Sequence, residues 1–337
     1  DTKKGATNED WDIIGTTFHK WVRENSKEMG LVKSVDFEDF VLKSFRKMSG
    51  IYLDLKRWST EYDKEYEYIF YNANRNFTLQ YQVILSAIDP DDDDVIVKRK
   101  IKAVSCYLDQ YVSLRVFNFK VVDYSSIKNA MFTLIKKIRK KSIDDLKDLL
   151  FAEIISLKSG DEELTLDKIN EFYLNQFSGR YMRHILGRLT YFVEEESGMK
   201  SRFEDYVDRE KKNPFDIEHI ICEVYDLHKQ AFPDEEEFKR IRQKFGALLL
   251  LPQDINRSLQ EKIFDEKVTK YYAENGLAKS LNDQCYQNNP QFLAFMNRAK
   301  LLFKSYKNFT KYEVGERQEL YKEIAKRIWD PELIQKI

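Results

Sequence analysis

Asp216-Ile217-Glu218-His219-Ile220-Ile221 opens the stretch that decides how this chain reads, and Phe245-Gly246-Ala247 followed by four leucines (248–251) answers it. The first segment reads as a short apolar strand carrying an adjacent Glu-His pair, the second as another apolar strand. Pro252-Gln253-Asp254-Ile255-Asn256 then leads into a helical pattern that reaches Lys267. Two strands and a helix beginning near an Asn predict a small ββα unit. Such a unit can hold one divalent ion between strand and helix, with a histidine beside it to activate water. Nowhere else does the chain set a candidate catalytic histidine next to hard-metal ligands. Between the strands, residues 233–244 read as an inserted helix, with Pro233 suited to its first position and Phe238, Ile241 and Phe245 facing inward.

Outside this stretch the chain is helical text. Its 337 residues suffice for two or three domains. With only 11 Gly and 6 Pro there is little to punctuate it, which favours long helices over a many-turned β protein. Phe37, Phe40, Val41, Phe45 and Met48 recur at helical spacing, and so do Ile101, Val104, Leu108 and Val112. Asp89-Pro90-Asp91-Asp92-Asp93-Asp94 breaks the pattern. It lacks the ligand spacing and closing Glu of a calcium loop, and reads as a solvated turn whose acids favour the next helix N-terminus.

Lys plus Arg (56) nearly cancels Asp plus Glu (57), so a nucleic-acid surface has to come from segregated charge. Basic runs at 98–100 and 136–141 either meet phosphate or form solvated helix faces. Arg180, His184 and Arg188 fall at i, i+4 and i+8, with Arg183 alongside, as a basic stripe just upstream of the Glu-His strand. The opposite side is apolar, as in any amphipathic helix. Cys106, Cys222 and Cys285 lie far apart, which suits reduced thiols in a cytoplasmic protein. A zinc site from His219, Cys222, His228 and Cys285 would fit no standard finger spacing. No apolar run approaches the roughly 20 residues that span a bilayer, and no signal peptide is visible, so no membrane partner is expected. The chain opens on Asp1, not Met, and is expected to be a portion of a longer protein.

Ile217-Glu218-His219-Ile220, Phe245-Gly246-Ala247-Leu248 with Leu250, Asn256 and Phe264-Asp265-Glu266-Lys267 together resemble the C-terminal nuclease domain of GmrSD-type modification-dependent restriction endonucleases. These form a branch of the HNH (His-Me finger) superfamily. Upstream, Tyr71-Asn72-Ala73 with Phe77-Thr78-Leu79-Gln80-Tyr81, and the segment from Lys98 through Arg115 to Asn118, resemble the family's helical middle region. Arg317, Leu320, Ile324 and Trp329 resemble its closing helix. The family's ParB-like N-terminal domain is not found, nor a Walker-type glycine loop, so no nucleotide site is expected in this portion.

The resemblance implies a mainly α protein: a helical domain over 1–200, an HNH-like ββα-metal nuclease domain over 201–290, and C-terminal helices over 291–337 packing on it. It implies metal-dependent cleavage of DNA, modified or phage-borne, in bacterial defence. A ParB-like nucleotide-binding domain would stand in the same or a partner chain. His219 would be the general base. Glu218 and Asn256 would hold one Mg²⁺ or Mn²⁺, since hard cations take oxygen ligands. Asp216 and Glu261 would support the site. Lys267, Arg180, Arg183 and Arg188 are candidate contacts to DNA phosphate.

Geometry and composition qualify these roles. Consecutive strand residues point to opposite faces, so Glu218 and His219 share a site only where the strand bends. Lys267 lies about 16 Å from Asn256 along a continuous helix at roughly 1.5 Å per residue, too far to ligate the same ion, though it could touch phosphate or pin the helix. Ala247 replaces an expected Asn and cannot orient the histidine. Cys222 stands where a Pro is expected, and Glu261 where an Asn is. Three rival readings stay open: a satisfied Glu-His pair in a structural hairpin, a catalytically impaired HNH-like DNA-binding or regulatory module, and a helical protein-interaction module built on the aromatic-rich first 200 residues.

Overall fold

Scarce glycine and proline leave the chain free to run in helices, and helices dominate the computed structural model, which describes residues 8–287 and 289–337. The expectation attached to Asp1 lies outside the described residues. Helices α1 (Asn8–Glu24), α2 (Arg46–Trp58), α3 (Glu67–Asn74) and α4 (Gln80–Ala87) lead to the longest, α5 (Asp94–Phe117). The acidic turn before α5 is a cap, as its composition predicts: Asp93 accepts from the Ile96 N–H, and Asp92 accepts from Lys100 at 2.7 Å. From Ile101 onward α5 is buried almost all round, with α3, α4 and α7 (Ile143–Ile155) packed on it and α6 (Tyr124–Ile138) against α4. A two-residue ribbon, β1 (Lys158–Ser159) and β2 (Glu162–Glu163), then leads to α8 (Gly179–Glu196).

Two members of the basic stripe on α8, His184 and Arg188, face inward, whereas Arg183 is half-buried and Arg180 exposed. Arg188 is buried and donates to Asp109 of α5 at 3.0 Å, while Arg75 and the Trp329 indole donate to the same fully buried carboxylate. The Arg188 guanidinium also lies 3.5 Å from the Tyr71 ring centroid. A charge taken out of water needs such partners, and here two cations and an indole serve one anion. Arg188 is therefore corrected from a DNA-phosphate candidate to a core residue. His184, one turn earlier, is equally buried, with Nδ1 2.7 Å from Asn74 Oδ1.

Strands β3 (Phe215–His219) and β4 (Leu248–Pro252) pair antiparallel, Phe215 opposite Pro252 and His219 opposite Leu248. Leu248 to Leu251 are all buried, so β4 is apolar on both faces instead of alternating. Phe245–Ala247 form a 3₁₀ turn ahead of the strand. Gly246 is required there: its N–H donates to Gln318 Oε1 at 3.1 Å, and a Cβ would stand 2.6 Å from the Gln318 nitrogen. The insert between the strands is helical, α9 (Glu235–Arg242). Asp234 makes the cap, so Pro233 stands just before it and not at the first helical position, which Glu235 takes with two more glutamates behind it.

After β4 the chain forms α10 (Gln253–Leu259) and α11 (Phe264–Tyr271). The expected continuous helix breaks between them, at 260–263, where Ile263 is extended. Lys267 is thus folded back toward β3. The closing helix α12 (Lys311–Ile328) is opened by a Thr310–Glu313 capping box and packs on the 3₁₀ turns at Leu166–Glu171 and Phe245–Ala247. One cluster of buried apolar side chains runs from Leu55 to Ile334, so the helical part and the hairpin share a core. Among the described residues, no helix is long and apolar enough to cross a membrane.

Candidate active site

A cavity of about 510 Å³ opens beside the end of β3, walled by the residues that follow it and by α10, α11 and the end of α9. Glu218, His219, Asn256, Glu261 and Lys267 all line it, together with Arg242 and Glu223. The break after α10 makes this convergence possible. With the helix interrupted, Lys267 reaches the strand it was expected to miss.

Glu218 and Lys267 meet as a buried ion pair. Lys267 Nζ lies 2.7 Å from Glu218 Oε1 and donates a second bond to the His219 carbonyl; both side chains are almost fully enclosed. The Tyr271 hydroxyl donates to the same Oε1 at 2.6 Å. Burial beside this carboxylate pushes the Tyr271 phenol well above 10. Lys267 therefore pins strand to helix and is enclosed rather than presented to phosphate. Glu218 Oε2 accepts no hydrogen bond among the described residues. Although β3 is regular enough to pair through His219, Glu218 and His219 both border the one cavity.

His219 is half-buried, its Nε2 3.2 Å from Gln243 Oε1, the residue just after α9. Burial, reinforced by the Arg242 guanidinium, pushes its pKa down to about 4. The ring is consequently neutral at pH 7 and has a lone pair to offer. Asn256, on α10, spends its amide N–H on the Ile217 carbonyl at 3.0 Å, so the oxygen Oδ1 is its free group. Arg242 donates through Nε to the Ile221 carbonyl at 3.0 Å, and Glu223 lies 3.8 Å from its terminal nitrogen. Its guanidinium stays largely available to the cavity.

The remaining candidates stand away from this cavity. Asp216 accepts from Arg209 and Gln253, each at 2.9 Å, with Arg183 at 3.6 Å. Arg183 also donates to the Phe215 carbonyl and thereby fastens α8 to β3. Arg180 is exposed, its guanidinium 4.6 Å from the Tyr181 ring centroid. Cys222 Sγ and His228 Nε2 approach to 3.1 Å. Among the described residues no three His, Cys, Asp or Glu gather in a group able to hold a metal, so the zinc alternative falls. Asn256 Oδ1 and Glu218 Oε2, on two residues that line the cavity, are oxygens of the kind a hard cation would take as ligands.

Residues 158–324 match the family model described as GmrSD restriction endonucleases, C-terminal domain. This region belongs to that family. No curated protein and no solved structure matched the chain. The GmrSD region begins at the β1–β2 ribbon, takes in α8 and the whole β3–β4 unit, and ends within α12. Every cavity residue named above lies inside it; residues 71–118 lie outside. Sequence reasoning missed Arg242, Gln243 and Tyr271. The first two sit where an inserted helix ends, a position that carries no motif. Tyr271 could have been noticed as the residue one helical turn beyond Lys267.

Proposed function

We propose that the GmrSD region of this chain hydrolyses DNA phosphodiesters at the β3–α10 cavity, with one Mg²⁺ or Mn²⁺, as an HNH-type (His-Me finger) nuclease. One observation supports this reading above the others. A neutral histidine and a free amide oxygen, contributed by strand and helix, border the same open cavity as a half-buried arginine. In this reading His219 takes the proton from the attacking water. Arg242 faces the phosphate, and Asn256 Oδ1 with Glu218 Oε2 holds the ion, with Glu261 adding charge at the rim. The bound ion supplies charge stabilisation at the scissile phosphate. Lys267 engages one oxygen, Oε1, of the Glu218 carboxylate and fixes the strand end from which His219 projects. Arg180, exposed on α8, is available to flanking phosphate. The restriction endonuclease family further suggests modified or phage DNA as the target, a cytoplasmic setting, and a ParB-like partner domain.

A second reading draws on the Glu218–Lys267 pair itself. An ammonium already seated on the carboxylate weakens that residue as a metal ligand, and Ala247 lacks the side chain expected to orient the histidine. The chain would then bind DNA without cutting it. Plasmid nicking with Mg²⁺ or Mn²⁺, comparing wild type with His219→Ala, separates the two. Nicking that vanishes in His219→Ala while salt-sensitive DNA binding persists supports the nuclease. Salt-sensitive binding with no nicking by either protein supports the second reading, and nicking unaffected by the substitution places the chemistry elsewhere.

A further inference from the structure

We propose that Gln243 is the positioning residue for His219: its side-chain oxygen holds the proton on Nε2 and leaves Nδ1 as the nitrogen that accepts one. The catalytic consequence rests on the nuclease reading above; the tautomer assignment does not. An unassisted imidazole divides its single proton between two ring nitrogens, and only one of them can face a given water. A hydrogen bond to the other nitrogen settles the choice.

Ala247 has nothing to offer for this. Its side chain is a buried methyl, and its carbonyl is spent on the Ile220 N–H at 2.9 Å. Gln243 reaches the ring from the opposite strand connection, with Oε1 3.2 Å from Nε2. Its own backbone is tied at both ends. The N–H donates to the Arg240 carbonyl at 3.2 Å, and the carbonyl accepts from the Leu174 N–H at 2.8 Å. The next residue back, Arg242, is anchored to the Ile221 carbonyl. The side chain therefore departs from a fixed point. An amide oxygen accepts and does not donate, so the partner nitrogen must carry the hydrogen. Among the described residues, Nδ1 makes no hydrogen bond, and it is not sealed from solvent. His219 is thus held twice, its carbonyl by Lys267 and its ring by Gln243. The inserted helix α9 acquires a purpose: it carries the hydrogen-bonding group that the hairpin lacks.

The test combines spectroscopy with kinetics on the full chain. Histidine-labelled protein, metal-free at neutral pH, is measured by ¹⁵N NMR, with the His219 signals assigned by their loss in His219→Ala. The expected signature is a protonated Nε2 and a bare Nδ1. Gln243→Met, similar in length but without an acceptor, should give mixed tautomers and a kcat about 10- to 100-fold lower, with KM changed by less than about threefold. Gln243→Glu keeps an acceptor and should preserve the tautomer and most of kcat. A proton on Nδ1 in the wild type, or an unchanged signature in Gln243→Met, overturns the assignment. If the wild type does not cut DNA, the nuclease reading fails while the NMR result still decides the role of Gln243.

Discussion

Lys267 Nζ lies 2.7 Å from both the Glu218 carboxylate and the His219 carbonyl oxygen, so one ammonium joins α11 to the strand end that carries the candidate base. Removing one partner of such a pair strands a buried charge. Lys267→Met should lower stability by about 3–5 kcal/mol, read from urea unfolding. Adding Glu218→Gln to it should recover much of the loss, because a neutral amide can still accept from Tyr271. A double variant no better than Lys267→Met would show that the two residues do not act as a pair.

Asn256 is expected to matter through its oxygen. Asn256→Ala should weaken Mn²⁺ binding in calorimetry and lower nicking by about 100-fold, comparable with the loss of an electrostatic group in other active sites. Its hydrogen bond to Ile217 contributes only about 1 kcal/mol to stability, so the fold should survive. Unaltered Mn²⁺ affinity would remove Asn256 from the site.

Acid should destabilise this protein in a defined window. His219 titrates at about 4 in the folded chain, below its ordinary value of 6.5, because burial and Arg242 disfavour the cation. Between those values the unfolded chain holds a proton that the folded chain lacks, so stability falls as pH drops through 6.5 toward 4. His219 alone would contribute on the order of 2–3 kcal/mol across that range. Burial shifts His184 and His228 in the same direction. Melting temperatures measured from pH 7.5 to 4 should fall over this window, and less so in His219→Gln. An identical slope in the variant would refute the assignment to His219.

Two glycines give opposite forecasts. Gly246→Ala drives a methyl into the backbone at Val314 and Gln318 of α12, and should cost about 1–3 kcal/mol or more. Gly315→Ala, on the same helix, meets nothing within 4 Å and should stabilise by about 0.5–1 kcal/mol. Thermal unfolding of the two variants checks both signs. Equal effects would mean that the turn at Gly246 has room for a methyl group.

Periodicity carried far into the fold but stopped at turns and partners. The strand pair was legible because Ile217 and Ile220 bracket the Glu-His pair and four leucines answer them. The inserted helix followed from Phe238 and Ile241. The break after Leu259 was not legible, because residues 260–263 hold no Gly or Pro and read as uninterrupted helix. That misreading alone put Lys267 out of reach. Arg188 was misread for another reason. Spacing shows which face a residue occupies, not whether that face meets water, and the telling sign was Asp109, a lone acid among Cys106, Tyr107, Leu108 and Tyr111. Gln243 gave no sign at all, since the distance between its side chain and His219 is set by how two strands and a helix close.

The carboxylate of Asp109 stands upstream of residues 158–324, yet it is the counter-ion of Arg188 within them; Tyr71, against which that guanidinium lies, and Trp329, which shares the carboxylate, are likewise outside. Cut loose at its family borders, the matched stretch would have to hide an arginine whose neutralising partner had been left behind. The part of this molecule that declares its kinship is therefore not a part that can be expected to stand alone, and what precedes it serves as its interior.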